Sequence, residues 1–259
     1  MVDLKDRVVF ITGASSGIGA LSASMLQEKG AIPILAARSR EKLEKISQTL
    51  QGPHEIKVLD VTDSEQVERV FADVYQKYGR IDILLNNAGY GKFEYATEMS
   101  VTEFEDMMDV NYMGLVRCTK QVLPHMIEQR YGQIVNVASM AGKIGTAKSA
   151  SYTATKHAVL GFSNALRQEL RGTGITVTTI NPGPIDTPFF EMADPSGNYV
   201  NNVKWMLMKP ESVSGHIVKA IEKRKEEVNL PRLASAGVWL YQLFPRLADR
   251  LTQGIMSQK

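Results

Sequence analysis

The chain has 259 residues and a nearly balanced charge, with 30 Lys and Arg against 28 Asp and Glu. This balance, without a basic run interleaved with aromatic residues, argues against nucleic acid as a partner. The single cysteine, Cys118, excludes an intrachain disulfide, and its apolar neighbours predict a buried core thiol. Because the N-terminal residues lack the features of a secretory signal and no segment has the ~20 apolar residues of a membrane span, we expect a cytoplasmic location.

Short β-branched runs alternate with longer helical patterns along the chain. The predicted strands are Val8–Thr12, Ile32–Ala36, Ile56–Leu59, Ile83–Leu85, Ile134–Val137, Thr176–Ile180 and Val228–Leu230. These runs are continuously apolar, which is typical of a sheet covered on both faces. The pattern predicts one α/β domain over residues 1–259, a Rossmann-type, doubly wound, parallel seven-stranded sheet with helices on both faces. In such a sheet, ligands bind at the carboxyl ends of the strands.

Helix ends carry local signals in the sequence. Residues 63–66 and 100–103 both fit a capping box ahead of an apolar-periodic stretch. Gly30 and Gly79 follow helical stretches at positions where a left-handed cap is expected.

Two stretches depart from the regular alternation. Residues 182–210 form the least regular segment, which is long for a simple connection, and we predict a substrate lid there. Residues 232–259 form an amphipathic C-terminal extension. A packed terminal helix, a subunit contact and a peripheral membrane contact all remain open for this extension.

A glycine-rich turn follows the first predicted strand and opens a helix. Gly13 lets the chain turn sharply, and the bare backbone at Gly17 and Gly19 lets a diphosphate approach the helix N-terminus, where free N–H groups favour anions. The spacing is G-x-x-x-G-x-G, and its place between a strand and a helix supports nucleotide binding. The predicted cofactor contacts in this turn are Gly13, Ser15, Ser16, Gly17, Ile18 and Gly19.

The second predicted strand ends in Arg38 and Ser39 instead of the acidic residue that often holds the ribose of NAD. A guanidinium and a hydroxyl suit a ribose 2′-phosphate. We therefore predict NADP(H) as the cofactor over NAD(H), with a solvated Arg38 as the alternative. Asp60, at the end of the third strand, is placed either to accept from the adenine amino group or to cap the next helix.

Tyr152 and Lys156 lie four residues apart in a predicted helix, so they share one face. A phenol titrates near pH ~10, and a neighbouring cation brings that pKa toward neutrality. Ser139, thirteen residues upstream of Tyr152, could hydrogen-bond an oxygen on which charge develops. Taken alone, this spacing also fits an ordinary amphipathic helix with an exposed lysine.

With these residues in view, the chain resembles the short-chain dehydrogenase/reductase family in its single-domain form. The matching segments are TGASSGIG at 12–19, LDV at 59–61, NNAG at 86–89, Asn111, Ser139, YTATK at 152–156 and NPGPIDT at 181–187. They follow the family's order and spacing, without a departure at a catalytic position. The resemblance implies an NADP-dependent enzyme that acts on the CH–OH group of donors.

The resemblance also implies a role for each matching residue. Tyr152 exchanges a proton with the substrate oxygen, Lys156 lowers the Tyr152 pKa and holds the nicotinamide ribose, and Ser139 polarises the substrate oxygen. Asn111 interrupts regular helix bonding and holds a water that links Lys156 to solvent. The remaining implied cofactor contacts are Val61, Asn87, Ala88 and Gly89 on the adenosine side and Pro182, Gly183, Ile185 and Thr187 on the nicotinamide side.

By the same resemblance, the substrate pocket lies between residues 90–95, the loop after Ser139 and the 182–210 segment. Its expected lining comprises Met140, Ile144, Phe189, Phe190, Met192, Trp205, Met206 and Met208. These side chains suit a flexible apolar ligand, or they pack the lid against the body. Lys143 and Lys148 could meet an acidic group on a substrate. The four histidines are scattered, so no metal site is predicted.

The leading hypothesis is an NADP(H)-dependent oxidoreductase that acts on a carbonyl or secondary alcohol with an apolar body. The chain is similar to hydroxysteroid and retinol dehydrogenases, and bacterial oxidoreductases of unassigned substrate share the same traits. One alternative is a 3-oxoacyl-thioester reductase that acts on acyl carrier protein. The alternative from another class is a catalytically silent NADP-binding regulator. The resemblance implies a homodimer or homotetramer that pairs through helices around residues 103–129 and 152–171.

Overall fold

A computed structural model describes residues 1–231 together with Gly237, Val238, Tyr241 and Leu243. Its strands are β1 (Val8–Thr12), β2 (Ile32–Ala37), β3 (Glu55–Val58), β4 (Ile83–Asn86), β5 (Gly132–Val137), β6 (Ile175–Pro182) and β7 (Glu227–Leu230). They form one parallel sheet in the order β3-β2-β1-β4-β5-β6-β7. The predicted fold class is confirmed, and all seven predicted strands are present within two residues of their predicted ends.

Helices connect successive strands and cover both faces of the sheet. They are α1 (Gly17–Gln27), α2 (Arg40–Ser47), α3 (Ser64–Tyr78), α4 (Val101–Met108), α5 (Gly114–Gln129), α6 (Ala150–Glu169), α7 (Phe189–Ala193), α8 (Asn198–Val203) and α9 (Pro210–Glu222). A π-helical turn at Asp109–Met113 joins α4 to α5. None of the helices in the described part has both the length and the apolar character of a membrane span.

In the central strands, alternate residues enter two different cores, which explains why these strands are largely apolar. In β1, Val9 and Ile11 pack with residues of α1 and α9, whereas Val8 and Phe10 pack with residues of α3, α5 and α6. Cys118 lies in the second core and is fully buried, and burial raises the pKa of its thiol to about 12. The prediction of a core thiol is thus confirmed.

The crevice that holds the site opens between β1 and β4. These strands are neighbours in the sheet, and β2 lies on the other side of β1, so the loops that leave β1 and β4 diverge. Thr12, at the end of β1, ties the two loops together, because its Oγ1 accepts from the backbone N–H groups of Asn87 and Ala88 over 3.0 Å each.

The predicted helix signals are met in most cases. Ser100 and Glu103 form a reciprocal capping box at the start of α4, and Gly79 ends α3 at a φ of 70°. Asp63 caps α3, but the Gln66 side chain accepts from the backbone N–H of Asp60 rather than closing a box. The predicted capping box at 63–66 is therefore only half formed.

The 182–210 segment is more regular than predicted, because it contains α7, α8 and a 3₁₀ turn at Lys204–Met206. Its base is closed by backbone hydrogen bonds from Asp186 to Met208 (3.0 Å) and from Met208 to Pro184 (2.9 Å). The predicted C-terminal extension at 232–259 lies outside the described residues, apart from the four residues named above.

Candidate active site

The π-helical turn places Asn111 inside the protein. Its side chain is buried and brackets the backbone of Tyr90, accepting from the N–H over 2.9 Å and donating to the carbonyl over 2.8 Å. The same amide donates to Thr155 Oγ1 at 3.1 Å. The predicted interruption of regular helix bonding at Asn111 is confirmed. Asn111 thereby joins the loop after β4 to α6.

Helix α6 brings Tyr152 and Lys156 to the same side. Lys156 is buried, and its ammonium donates to the carbonyl of Val137 at 2.9 Å and lies 5.6 Å from the centre of the Tyr152 ring. Gly89 lies close to the side chains of both Asn111 and Lys156. A Cβ at position 89 would lie 2.9 Å from Asn111 Oδ1 and 3.7 Å from Lys156 Nζ. A side chain at position 89 would therefore press on the Asn111 amide and make an ordinary contact with the Lys156 ammonium.

Ser139 lies where β5 ends, opposite the end of β6. Its Oγ donates to the carbonyl of Pro182 at 3.3 Å and accepts from the N–H of Ala141 at 3.1 Å. Its hydroxyl also hydrogen-bonds the Tyr152 phenol. The structure therefore brings Ser139, Tyr152 and Lys156 together, as the sequence predicts.

Burial governs the pKa values of both titrating groups. It raises the pKa of Tyr152 to about 12, and the hydrogen bond with Ser139 only partly opposes this shift. It lowers the pKa of the Lys156 ammonium to about 8. The raised pKa of Tyr152 in the protein alone reflects the cost of burying a phenolate, and the predicted lowering of this pKa by Lys156 stays a prediction.

One cavity of about 930 Å³ runs along the carboxyl ends of the strands and contains the phenol, the ammonium and Ser139. All the predicted cofactor contacts line it except Gly19. Gly19 instead packs against the turn, where a Cβ would lie 2.5 Å from the Gly13 carbonyl oxygen and 2.6 Å from Asn87 Nδ2. The expectation that Gly19 bares the backbone to a diphosphate is therefore replaced by a packing role.

The N-terminus of α1 opens into this cavity. Ser16 occupies the N-cap position without a capping hydrogen bond from its side chain, and no acidic residue occupies the first turn. Gly13 and Gly17 adopt positive φ angles of 66° and 53°, which L-residues with a side chain rarely adopt. Free backbone N–H groups at a helix N-terminus, next to glycines that have no side chain in the way, are suited to binding a diphosphate.

At the far end of the cavity lie Arg38, Ser39 and Lys42. Ser39 caps α2 by accepting from the N–H of Lys42 at 3.3 Å, so two cationic side chains border the start of this helix. Within the described residues, Arg38 forms no ion pair. Lys42 was not among the cofactor contacts predicted from the sequence.

Asp60 lines the cavity, and of its two predicted roles the capping of the next helix is wrong, whereas the contact with adenine stays a prediction. Its Oδ1 accepts from the N–H and the hydroxyl of Thr62, at 3.0 and 2.8 Å, and Asp63 caps α3 instead. Arg117, which the sequence analysis missed, donates to the Val61 carbonyl and pairs with Asp109 of the π-helical turn at 2.7 Å. It therefore links the catalytic turn to the adenosine side of the cavity.

The substrate end of the cavity agrees in large part with the predicted lining. The predicted residues that line it are Met140, Ile144, Phe189, Phe190, Met192 and Met206. Trp205 is 82% exposed and Met208 packs against the core, so neither lines the cavity. Phe93, Tyr199 and Val238 also line it, and the last two were missed because nothing local marks them. The part of the chain described here contains no cluster of three potential metal ligands.

Two similarities in sequence to known proteins bear on this site. A family model described as short chain dehydrogenase matches residues 7–196. The uncharacterized oxidoreductase YxnA of Bacillus subtilis is 36% identical over 263 aligned residues, which cover 98% of this chain and 73% of YxnA.

Two solved structures share the fold and carry a nicotinamide cofactor. The closed form of serine dehydrogenase complexed with NADP+ superposes with a TM-score of 0.80 at 33% identity, covering 86% of this chain and 92% of its own. Actinorhodin polyketide ketoreductase with NADPH superposes with a TM-score of 0.80 at 31% identity, covering 89% of this chain and 97% of its own.

Proposed function

Because the chain belongs to the short-chain dehydrogenase family, we propose that it transfers a hydride between NADP(H) and a carbonyl or secondary alcohol. One observation carries this proposal. The Tyr152 phenol, the Ser139 hydroxyl and the buried Lys156 ammonium share a cavity with an uncapped helix N-terminus and a cationic far end. The three side chains are suited to proton transfer, and the helix N-terminus and the cationic end are suited to binding a phosphorylated dinucleotide.

The hydrogen-bond donors at the end of the cavity next to β2 favour NADP(H) over NAD(H) as the cofactor. Arg38 and Lys42 border the end of the cavity that follows β2, and no carboxylate follows β2 before Glu41. A carboxylate at that place would hold the ribose hydroxyls of NAD and repel a 2′-phosphate. The NADP+ and NADPH complexes of the two structural neighbours support the same choice.

The protein's own residues account for the proton. Bound NADPH would supply the hydride for reduction of a carbonyl carbon. Tyr152, whose pKa is raised to about 12, keeps its proton at neutral pH and can donate it to the developing alkoxide, which is a far stronger base than a phenolate. Ser139 orients the carbonyl oxygen by hydrogen bonding. Lys156 would hold the nicotinamide ribose and stabilise the phenolate that remains.

The rival from another class, a catalytically silent NADP-binding regulator, does not explain the groups that surround the buried ammonium. Enclosing Lys156 lowers its pKa to about 8 and so costs folding free energy. Binding of the ribose could use this ammonium but gives no role to the Tyr152 phenol and the Ser139 hydroxyl beside it, whereas proton transfer uses all three groups.

Consumption of NADPH at its absorbance band, followed with a panel of ketones and with acetoacetyl thioester, tests the proposal. We expect carbonyl-dependent oxidation of NADPH and weak activity with NADH. Tight NADPH binding without oxidation by any carbonyl would instead favour the regulator. Saturable turnover of the acetoacetyl thioester alone would favour the 3-oxoacyl-thioester reductase.

We also propose that the protein forms a homodimer or homotetramer through α5 and α6. Met113 at the start of α5 and Ile127 near its end are exposed apolar residues that such pairing would cover. Light scattering coupled to size exclusion measures the mass directly, and a monomer would contradict this expectation.

A further inference from the structure

Five aromatic rings form a connected network at the substrate end of the cavity, and the Tyr152 ring is one of them. Phe93 lies edge-on to Tyr152 with ring centres 6.1 Å apart and edge-on to Tyr199 at 4.7 Å. Phe189 lies 5.6 Å from Tyr152 and 5.3 Å from Phe190. Phe190 completes the network at 5.6 Å from Tyr199. All five rings line the cavity.

Backbone contacts hold these rings in place from three separate segments. The N–H of Phe93 donates to the carbonyl of Ala193 at 2.8 Å, which ties the loop after β4 to α7. The buried Asp194 accepts from the N–H of Val200 at 3.0 Å and so anchors α8 behind α7. At Gly91, a Cβ would lie 2.7 Å from Phe189 and 3.3 Å from Tyr152, so both rings pack on bare backbone there.

The charges around this end disfavour an acidic ligand. Apart from the buried Lys156 ammonium beside Tyr152, Glu191 is the charged residue among the described residues that line the substrate end, and it is acidic. Lys143 pairs with Glu227, and the Lys148 ammonium lies over the Tyr95 ring at 4.9 Å. Neither lysine lines the cavity, so the structure gives no support to the predicted contact of these lysines with an acidic group on the substrate.

We propose that the substrate is an uncharged ketone, or the corresponding alcohol, with an aromatic ring close to the reacting carbon. This inference rests on the proposed function and narrows it. The five rings pack partly edge-to-face, so an aromatic ring of the substrate would find both ring edges and ring faces to contact. Each such aromatic pair stabilises the bound substrate by more than the burial of its apolar area alone. A carboxylate among the five rings would be desolvated near the acidic Glu191, and the cation that lines this end, Lys156, already donates to the Val137 carbonyl.

A matched set of methyl ketones tests the inference with NADPH as the reductant. Phenylacetone and cyclohexylacetone have similar size, and in each a methylene group separates the ring from the carbonyl, so their intrinsic reactivities are close. We expect kcat/KM to favour phenylacetone by about 2- to 12-fold, the ratio that one aromatic pair supplies. The para-carboxylate of phenylacetone should react at least about 10-fold less well than phenylacetone, because its charge would be desolvated. Acetoacetyl thioester, which has no aromatic ring, should also react less well than phenylacetone.

Ring removal locates the source of the preference. Phe93→Leu and Phe190→Leu keep an apolar side chain, and we expect each to bring the phenyl-to-cyclohexyl ratio toward one. The ratio is measured within one variant, so a partly folded sample does not change it. Trp205→Leu is the matched control, because Trp205 belongs to the same segment but does not line the cavity, and its ratio should equal that of the wild type.

The possible failures can be told apart. Equal turnover of phenylacetone and cyclohexylacetone, preference for the carboxylate, or preference for the thioester would overturn the aromatic assignment and leave the oxidoreductase proposal standing. A preference for phenylacetone that survives both ring removals would also overturn it. If no carbonyl oxidises NADPH although NADPH binds, the proposed function fails, and this inference fails with it.

Discussion

The Asn111 side chain donates a hydrogen bond over 3.1 Å to Thr155 Oγ1, one residue before the buried Lys156. The contact joins the π-helical turn to α6, since the Thr155 hydroxyl in turn donates to the Tyr152 carbonyl at 2.8 Å. The positions of Tyr152 and Lys156 therefore depend on the π-helical turn that contains Asn111 as well as on α6 itself. Disturbing Asn111 should displace the reacting groups without unfolding the domain.

Gly89→Ala tests this coupling. The added methyl group would lie 2.9 Å from Asn111 Oδ1 and 3.7 Å from Lys156 Nζ, so the amide has to shift. We expect kcat to fall by about 10- to 100-fold, because small displacements of reacting groups are costly. Gly215→Ala is the control, since a Cβ at position 215 meets no atom within 4 Å. Equal activity in the two variants would contradict the coupling.

Tyr152→Phe removes the proposed proton donor and keeps the ring. We expect turnover to fall by about 100- to 10,000-fold, the usual range for loss of a general acid, while NADPH affinity stays nearly unchanged. Steady-state kinetics and fluorescence titration with NADPH measure the two quantities. Tyr95→Phe, at an exposed tyrosine outside the cavity, should behave as the wild type. Substantial turnover by Tyr152→Phe would refute the assigned mechanism.

Arg38→Asp tests the choice of cofactor. A guanidinium that binds a 2′-phosphate contributes roughly 1.5–3 kcal/mol, so NADPH affinity should fall by about 10- to 100-fold and NADH affinity should change little. Lys42→Gln should shift the preference in the same direction by a smaller amount. Arg40→Asp makes the same change of charge at a residue that does not line the cavity. If Arg40→Asp alters the preference for NADPH over NADH as much as Arg38→Asp does, the effect comes from the change in overall charge, and the assignment of Arg38 to the 2′-phosphate is wrong.

The buried Lys156 predicts a pH-dependent cost to stability. Its pKa falls from 10.5 in the unfolded chain to about 8 in the fold, so between these values the unfolded chain binds more protons. Stability contributed by this group therefore rises with pH over that window. Below pH 8 both states carry the proton, and the full cost of about 3 kcal/mol applies.

Urea unfolding of the cofactor-free protein measures this cost. We expect Lys156→Met to exceed the wild type in stability at about pH 7 and to lose that advantage by about pH 10. Lys120→Met, which replaces an exposed lysine of α5, should follow the pH dependence of the wild type. A constant difference between Lys156→Met and the wild type at all pH values would show that the ammonium is not the cause.

Local patterns were sufficient for the strands and for the reacting residues. Continuous apolar runs marked all seven strands, and the four-residue spacing of Tyr152 and Lys156 put both on one helical face. Local patterns could not separate Met208, which packs against the core, from Met206, which lines the cavity. Both are methionines in one irregular segment, and only their packing partners distinguish them.

By itself, the sequence determined the alternation of strands and helices, the glycine turn after β1 and the residues able to exchange a proton. These features depend on spacing along the chain, which periodicity and local backbone geometry decide. The tertiary structure alone decided that Gly19 packs against the turn, that Phe93 and Tyr199 meet at 4.7 Å, and that the Tyr152 pKa rises to about 12. Those properties depend on segments distant in sequence, because burial and ring contacts arise only when the folded chain brings them together.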